Sequence, residues 1–139
     1  MAERTWKSKE IPPERIRFVR WSRETEATAL TDMSVGVMPL PDDEWTRGKC
    51  SFKMLQYMAV GLPVIVSPVG MNKEVLAKGD VGFAATSDDE WYEALESLYK
   101  DHSLRAKLGD TARRVVESHF SAQTIAHNLA GIFKALACK

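Results

Sequence analysis

From Thr46 to Ser67 the chain passes from a short loop of glycine, lysine and serine into a helix-like run. It then crosses Gly61 and Pro63 and enters the unbroken apolar triplet Val64-Ile65-Val66. Few folds accommodate that order. Phe52, Leu55, Met58 and Ala59 recur at helical spacing and predict a helix with one buried stripe. Gly61 is placed to end that helix, and Pro63 prevents its return. A following triplet without a polar residue suits a strand covered on both faces, as in a parallel sheet. Helix, stop and buried strand together make the closing half of a βαβ unit.

The flanking sequence extends this alternation. Residues 1–15 are polar, contain Pro12-Pro13 and read as a lead-in, and residues 16–139 read as one domain. Ile16-Arg17-Phe18-Val19 is a short strand candidate, and residues 24–30 form a helix candidate. Val35-Gly36-Val37-Met38 predicts a strand buried on both faces, ended by Pro39 and Pro41. Pro41-Asp42-Asp43-Glu44-Trp45 reads as a loop. Val81-Gly82-Phe83-Ala84 is a further, weak strand. Ser87 and Glu90 make a capping box, with Trp91, Ala94, Leu95 and Leu98 lining the helix behind it. Leu104 and Leu108 predict a short helix stopped near Gly109, and Ala112, Val115 and Val116 predict another. Ser121 caps a last helix. Its stripe of Ile125, Leu129, Ile132, Phe133 and Leu136 predicts packing on the sheet rather than a coiled coil. Strands separated by helices predict an α/β fold, a Rossmann-like three-layer sandwich with a mainly parallel sheet and a helical C-terminal tail. In such open sheets ligands bind outside the carboxyl ends of the strands. The loop over residues 41–51 lies at that edge.

Composition narrows the classes. A chain of 139 residues is one domain's worth. Its 19 basic and 19 acidic residues cancel, so no basic field recommends a nucleic acid. No apolar run approaches the roughly 18 residues of a membrane span. The charged residues 1–10 hold no signal-peptide core. Both features predict a cytoplasmic chain, at most peripheral to the inner face of a membrane. Cys50 and Cys138 are too few and too far apart for a disulfide framework, and His102, His119 and His127 lack metal-ligand spacing.

Chemistry concentrates at the start of the predicted helix. Gly48 lets a backbone approach a ligand closely. Ser51 is a good N-cap and has a hydroxyl to offer a ligand instead. The helix start supplies unpaired amides and a partial positive charge, and Lys49 and Lys53 add full charges. A lysine in the first turn opposes the helix dipole, a conflict that a bound diphosphate removes. The same residues also fit a capped surface helix with solvated lysines. Gly-Lys-x-Ser is far weaker than a Walker A loop, so the residues alone leave both readings open. Asp42, Asp43 and Glu44 fit a solvated acidic loop better than a metal or acid–base site. Trp45 fits loop packing better than stacking on a base or sugar. Cys50 has no base beside it to make it a nucleophile.

The run Met58-Ala59-Val60-Gly61-Leu62-Pro63-Val64-Ile65-Val66-Ser67-Pro68-Val69-Gly70, followed by Glu74-Val75, resembles the donor-binding segment of family-4 (group 1) retaining glycosyltransferases of the GT-B fold. Ser51, Lys53, Tyr57, Met58 and Ala59 fit one branch of that family more closely. Val81-Gly82-Phe83 resembles the family's element before the acid-capped helix, and Phe120-Ser121 the element before the final helix, with Ala122 where a tryptophan is usual. The resemblance covers nearly all of the chain from Ile16 onward. It implies a nucleotide-sugar site built from Arg47, Gly48, Lys49, Ser51, Phe52, Lys53 and Gln56, with no metal and no cofactor beyond the sugar donor. Lys53, Ser51 and the helix-start amides would hold the diphosphate, Gln56 would lie near the ribose, and Arg47 and Lys49 would be second-rank phosphate contacts. The implied acceptor is a glycan or a lipid-linked sugar, as in polysaccharide biosynthesis.

Two departures qualify the implication. A pair of glutamates usual in the family would fall at Gly48 and Gln56. Gln56 is a neutral and weaker acceptor for ribose hydroxyls, and Gly48 replaces nothing. The chain is also too short for the two Rossmann-like halves of such an enzyme. It is expected to lack the opening strand and helix of the donor half and the whole acceptor half, so that no catalytic residue is assigned and no activity is expected of it alone. A non-catalytic Rossmann-like binding or assembly module is the rival reading, with self-association through the incomplete sheet. A receiver-like signalling domain ranks below it, because no suitable lysine follows Ser67-Pro68.

Overall fold

The computed structural model describes residues 10–20 and 22–137. The chain divides into two compact units at Asp32 and Met33. In the first, a 3-10 turn at Pro13–Arg15 precedes an extended stretch and helix α1 (Glu26–Thr31). Residues 16–19 do not form the expected strand. A short stretch of four residues becomes a strand only when a neighbour takes its ladder bonds. Among the described residues none does, and Phe18 and Val19 stand exposed. Helix α1 begins later than the sequence suggests, after the Ser22 hydroxyl has accepted a hydrogen bond from the Thr25 amide at 3.2 Å.

The second unit is the α/β body. Its elements run β1 (Gly36–Met38), α2 (Glu44–Arg47), α3 (Phe52–Ala59), β2 (Val64–Val66), α4 (Met71–Leu76), β3 (Gly82–Ala84), α5 (Asp88–Lys100), α6 (His102–Val115), a π-helical turn (Val116–Phe120) and α7 (Ala122–Ala137). Among the described residues the sheet has the order β1-β2-β3, all parallel, with Val37 opposite Ile65 and Ile65 opposite Phe83. Right-handed crossovers between strands in sequential order put both connecting helices on one face. Accordingly, Met54 and Met58 of α3 and Val75 of α4 share a core with Val64 and Val66. Ile65 points the other way, into a second core with Ala94 and Leu98 of α5 and Leu108 of α6. Helices thus cover both faces of a parallel sheet, the three-layer arrangement expected. Each fully buried side chain here is worth about 1.5–3 kcal/mol over leaving it exposed.

Helix ends follow the sequence signals closely. The Leu62 amide donates to the Tyr57 carbonyl and the Gly61 amide to the Met58 carbonyl, both at 3.0 Å, with Gly61 at φ +80°. This is a Schellman stop, and only glycine takes that φ without strain. Ser87 and Glu90 form the expected capping box at the start of α5. Ser121 accepts from the Thr124 amide at 3.2 Å at the start of α7.

Other expectations give way. The segment after Pro41 is not wholly loop, because Asp43 accepts from the Thr46 amide at 2.7 Å and opens α2. Residues 71–76 form a helix for which the sequence gives no separate signal. Gly109 does not stop a helix; α6 runs through it. A Cβ there would collide with the Gly61 carbonyl oxygen, so the glycine serves a backbone-to-backbone contact between α6 and the end of α3. Helix α7 does not pack on the sheet: it has no buried residue, and its principal neighbour is the π-helical turn that precedes it. Strand β1 is also less covered than expected, with Val37 41% exposed on the edge of the sheet.

The ring of Tyr57 lies directly over Gly36, where any Cβ would overlap it. Helix α3 can therefore sit down on β1 only because position 36 has no side chain.

Candidate functional site

The carboxyl end of β1 and the amino end of α3 enclose a cleft of about 510 Å³. Val37, Met38, Pro39 and Leu40 form one wall, and Gly48, Lys49, Cys50, Ser51, Phe52, Lys53 and Tyr57 form the other. This is the position at which open α/β sheets bind ligands. A second cleft of about 640 Å³ adjoins it, lined by Asp43, Glu44, Trp45, Gly48 and Lys49. Lys49 and Gly48 therefore border both.

Ser51 departs most from its predicted role. It is the only described non-glycine residue at positive φ, +55°, and its side chain does not cap α3. A left-handed backbone turns the side chain away from the helix amides. The hydroxyl instead donates to Asn72 Oδ1 at 2.6 Å, with both residues buried to 1% exposure. Asn72 Nδ2 donates to the Ser67 carbonyl at 2.9 Å, and Ser67 Oγ accepts from the Leu40 amide at 2.9 Å. A buried polar chain thus ties the end of β1, the end of β2, the start of α4 and the start of α3. Among the described residues no buried side-chain polar atom is left without a partner. Left-handed serine costs about 1–2 kcal/mol, and the satisfied network offsets it.

With the Ser51 side chain occupied, the helix start still offers its backbone. The first helical hydrogen bond runs from the Leu55 amide to the Ser51 carbonyl at 3.0 Å. The amides of Phe52, Lys53 and Met54 precede it and carry the positive end of the α3 dipole. Lys49 and Lys53 flank them, and among the described residues neither has an ion-pair partner. Among the described residues no acidic side chain lines this cleft. It is cationic and walled by Phe52 and Tyr57, a combination suited to an anion attached to a flat or apolar group.

The remaining predicted residues are placed less directly. Arg47 faces Asp42, Nε to Oδ1 at 2.7 Å, and does not line the cleft. Their hydrogen bond lowers the Asp42 pKa and raises that of Arg47. Asp43 is also held below the usual carboxylate range, first by the Thr46 amide and then by the Thr46 hydroxyl. Asp42 and Asp43 are thus a guanidinium partner and a helix cap, and among the described residues no three metal-binding side chains converge. Gln56 is half-buried on α3 and does not line the cleft. Phe52 is 64% exposed at the cleft wall and not in the buried stripe, which is carried by Met54, Leu55 and Met58 instead. Trp45, read as loop packing, is 81% exposed in the adjoining cleft.

Sequence reasoning missed Asn72 and the role of Ser67. An asparagine in Met71-Asn72-Lys73-Glu74 carries no local signal, since its partner Ser51 lies 21 residues away and meets it only in the folded chain.

Comparison with known proteins adds an independent line. The family described as Glycosyl transferases group 1 matches residues 2–101. Spore coat protein SA of Bacillus subtilis (strain 168) is 34% identical over 80 residues, 55% of this chain and 21% of that protein. Glucosyltransferase 3 of Streptococcus parasanguinis is 24% identical over 135 residues, 85% of this chain and 40% of that protein. The capsular polysaccharide biosynthesis glycosyltransferase CapM of Staphylococcus aureus is 31% identical over 81 residues, 57% of this chain and 21% of that protein. The chain spans less than half the length of each of these relatives. No solved structure matches it.

Proposed function

The chain belongs to the group 1 glycosyl transferases, and from that membership we propose that it is the donor-binding portion of a retaining enzyme that moves a sugar from a nucleotide diphosphate to a glycan or lipid-linked acceptor. The observation that carries the reading is the cationic cleft at the carboxyl end of β1, lined by Lys49, Lys53 and the first residues of α3. In the whole enzyme these groups would hold the diphosphate. They would also stabilise the negative charge that grows on the leaving nucleotide as the glycosidic bond breaks. Ser51 positions the α3 amides through Asn72 and leaves direct contact to the backbone. Phe52 and Tyr57 offer the flat surfaces against which a base or sugar would lie. A cytoplasmic site, peripheral to the membrane, goes with a soluble nucleotide-sugar donor. Among the described residues no helix is long and apolar enough to cross a membrane.

Calorimetric titration with UDP, GDP and their sugar conjugates tests the reading, with Lys53→Ala as comparison. The expected result is saturable binding of one diphosphate, weakened about tenfold or more in the variant, equivalent to about 1.4 kcal/mol or more. No binding by the folded chain would overturn it and favour the rival, a non-catalytic module. Gly48 and Gln56 in place of the family's glutamates support that rival.

A further inference from the structure

The second cleft differs in chemistry from the first, although the two meet at Gly48 and Lys49. The first has apolar and aromatic walls with lysines at its rim, and among the described residues it has no acidic lining. The second, about 640 Å³, is lined by two carboxylates, Asp43 and Glu44, and by Trp45. Asp43 is taken up by the Thr46 amide and hydroxyl as the cap of α2. Glu44 is exposed, and among the described residues it has no ion-pair partner. Trp45 is 81% exposed. A tryptophan left this open forgoes most of the energy its burial would bring, and large amphipathic rings of this kind are the anchors of recognition sites. The two neighbours restrict what can cover it. A protein segment laid on Trp45 would also cover Glu44, and a buried carboxylate without a partner is costly. A ring bearing hydroxyl groups meets both demands: its C–H face lies on the indole, and its hydroxyls donate to the carboxylate.

We propose that the second cleft is a subsite for a sugar ring attached to the diphosphate, with Trp45 as its platform and Glu44 as the acceptor of its hydroxyl hydrogen bonds. Lys49 stands on the border of the two clefts, so an anion beside it can carry one substituent into each. The flat base then occupies the first cleft against Phe52 and Tyr57, and the hydroxyl-rich ring the second. The inference rests on the donor-binding reading above. It adds to that reading the residues that tell a sugar-bearing diphosphate from a bare one.

Calorimetry of the whole chain tests it by comparing UDP and GDP with UDP-glucose, UDP-N-acetylglucosamine and GDP-mannose. The expected result is that one conjugate binds about fivefold or more tightly than its own diphosphate, the scale of an aromatic stacking contact. Trp45→Ala should abolish that gain and leave affinity for the bare diphosphate within about twofold, whereas Trp45→Phe should keep most of the gain. Glu44→Gln should weaken the conjugate about threefold and the diphosphate not at all. Circular dichroism should show unchanged helix content in all three variants, since both side chains are exposed. A diphosphate that binds while no conjugate gains over it overturns this inference and leaves the donor site standing. So does a Trp45→Ala variant that loses conjugate and diphosphate alike. A Trp45→Ala variant that keeps the full gain makes the indole a contact for protein and overturns it as well. Binding of neither diphosphate nor conjugate overturns both readings.

Discussion

The Ser51 hydroxyl donates to Asn72 Oδ1 at 2.6 Å, across 21 residues of sequence and within a fully buried pocket. The bond holds the N-cap residue of α3, which also lines the cleft.

Removing either partner should destabilise the fold. Ser51→Ala leaves the Asn72 carbonyl oxygen buried without its donor, and Asn72→Ala leaves the Ser51 hydroxyl without its acceptor. Each should cost about 1–3 kcal/mol. Because the two share one bond, the double variant should cost clearly less than the sum. Urea denaturation midpoints of the four proteins decide this, and strict additivity would contradict the coupling.

Nucleotide affinity should separate the three basic residues around the junction of α2 and α3. Lys49 and Lys53 border the cleft, whereas Arg47 is engaged by Asp42 away from it. Lys53→Ala should weaken diphosphate binding about tenfold or more, and Arg47→Ala should change it by no more than about twofold. The salt dependence of affinity should be shallower in Lys53→Ala, because exposed charge pairs are screened. Calorimetry at two ionic strengths reads both effects.

Gly109→Ala should be destabilising although alanine is the better helix former. Alanine gains about 1 kcal/mol in intrinsic propensity at a helical site. A Cβ at position 109, however, overlaps the carbonyl oxygen of Gly61 and forces α6 away from the end of α3. Overpacking of this kind costs about 1–3 kcal/mol, and backbone on both sides leaves no side chain to yield. A higher melting temperature in the variant would contradict the contact.

The start of α5 should weaken in acid. Glu90 accepts from the Ser87 amide at 3.0 Å and the Thr86 amide at 2.7 Å, and these bonds lower its pKa. A carboxylate whose folded pKa lies below its unfolded one stabilises above the unfolded value, and that contribution disappears as pH falls through the folded value. The box should therefore contribute fully above the ordinary glutamate pKa and weaken progressively as pH falls below it, through the lowered folded value. Glu90→Gln should flatten this part of the pH dependence of stability, measured by urea melts across the acid range.

How much of this was legible depended on whether the signal was local. The Gly61 stop, the Ser87–Glu90 box, the Ser121 cap and the strand Val64–Val66 were all readable, because each is decided by residues within one turn or one triplet. The position of the cleft followed from the order of strands and helices. Failures fell where distant backbone decides. Gly109 has the composition of a stop, yet its neighbour is Gly61, 48 residues earlier. Ser51 has the composition of a cap, yet Asn72 claims its hydroxyl. The stripe of α7 has the composition of a packed helix, and periodicity reveals an apolar face without revealing what meets it.

The ring of Tyr57 over Gly36 forms part of the cleft wall, yet Gly36 itself does not reach the cleft. The room available to a ligand is therefore governed from behind. A methyl group added at position 36 has nowhere to go except against the aromatic ring, and the ring can yield only by moving off the strand. Resizing such a cleft, whether by drift or by design, would not require touching any group that meets the ligand. A residue with no side chain acts as the stop against which the wall of the cleft is set.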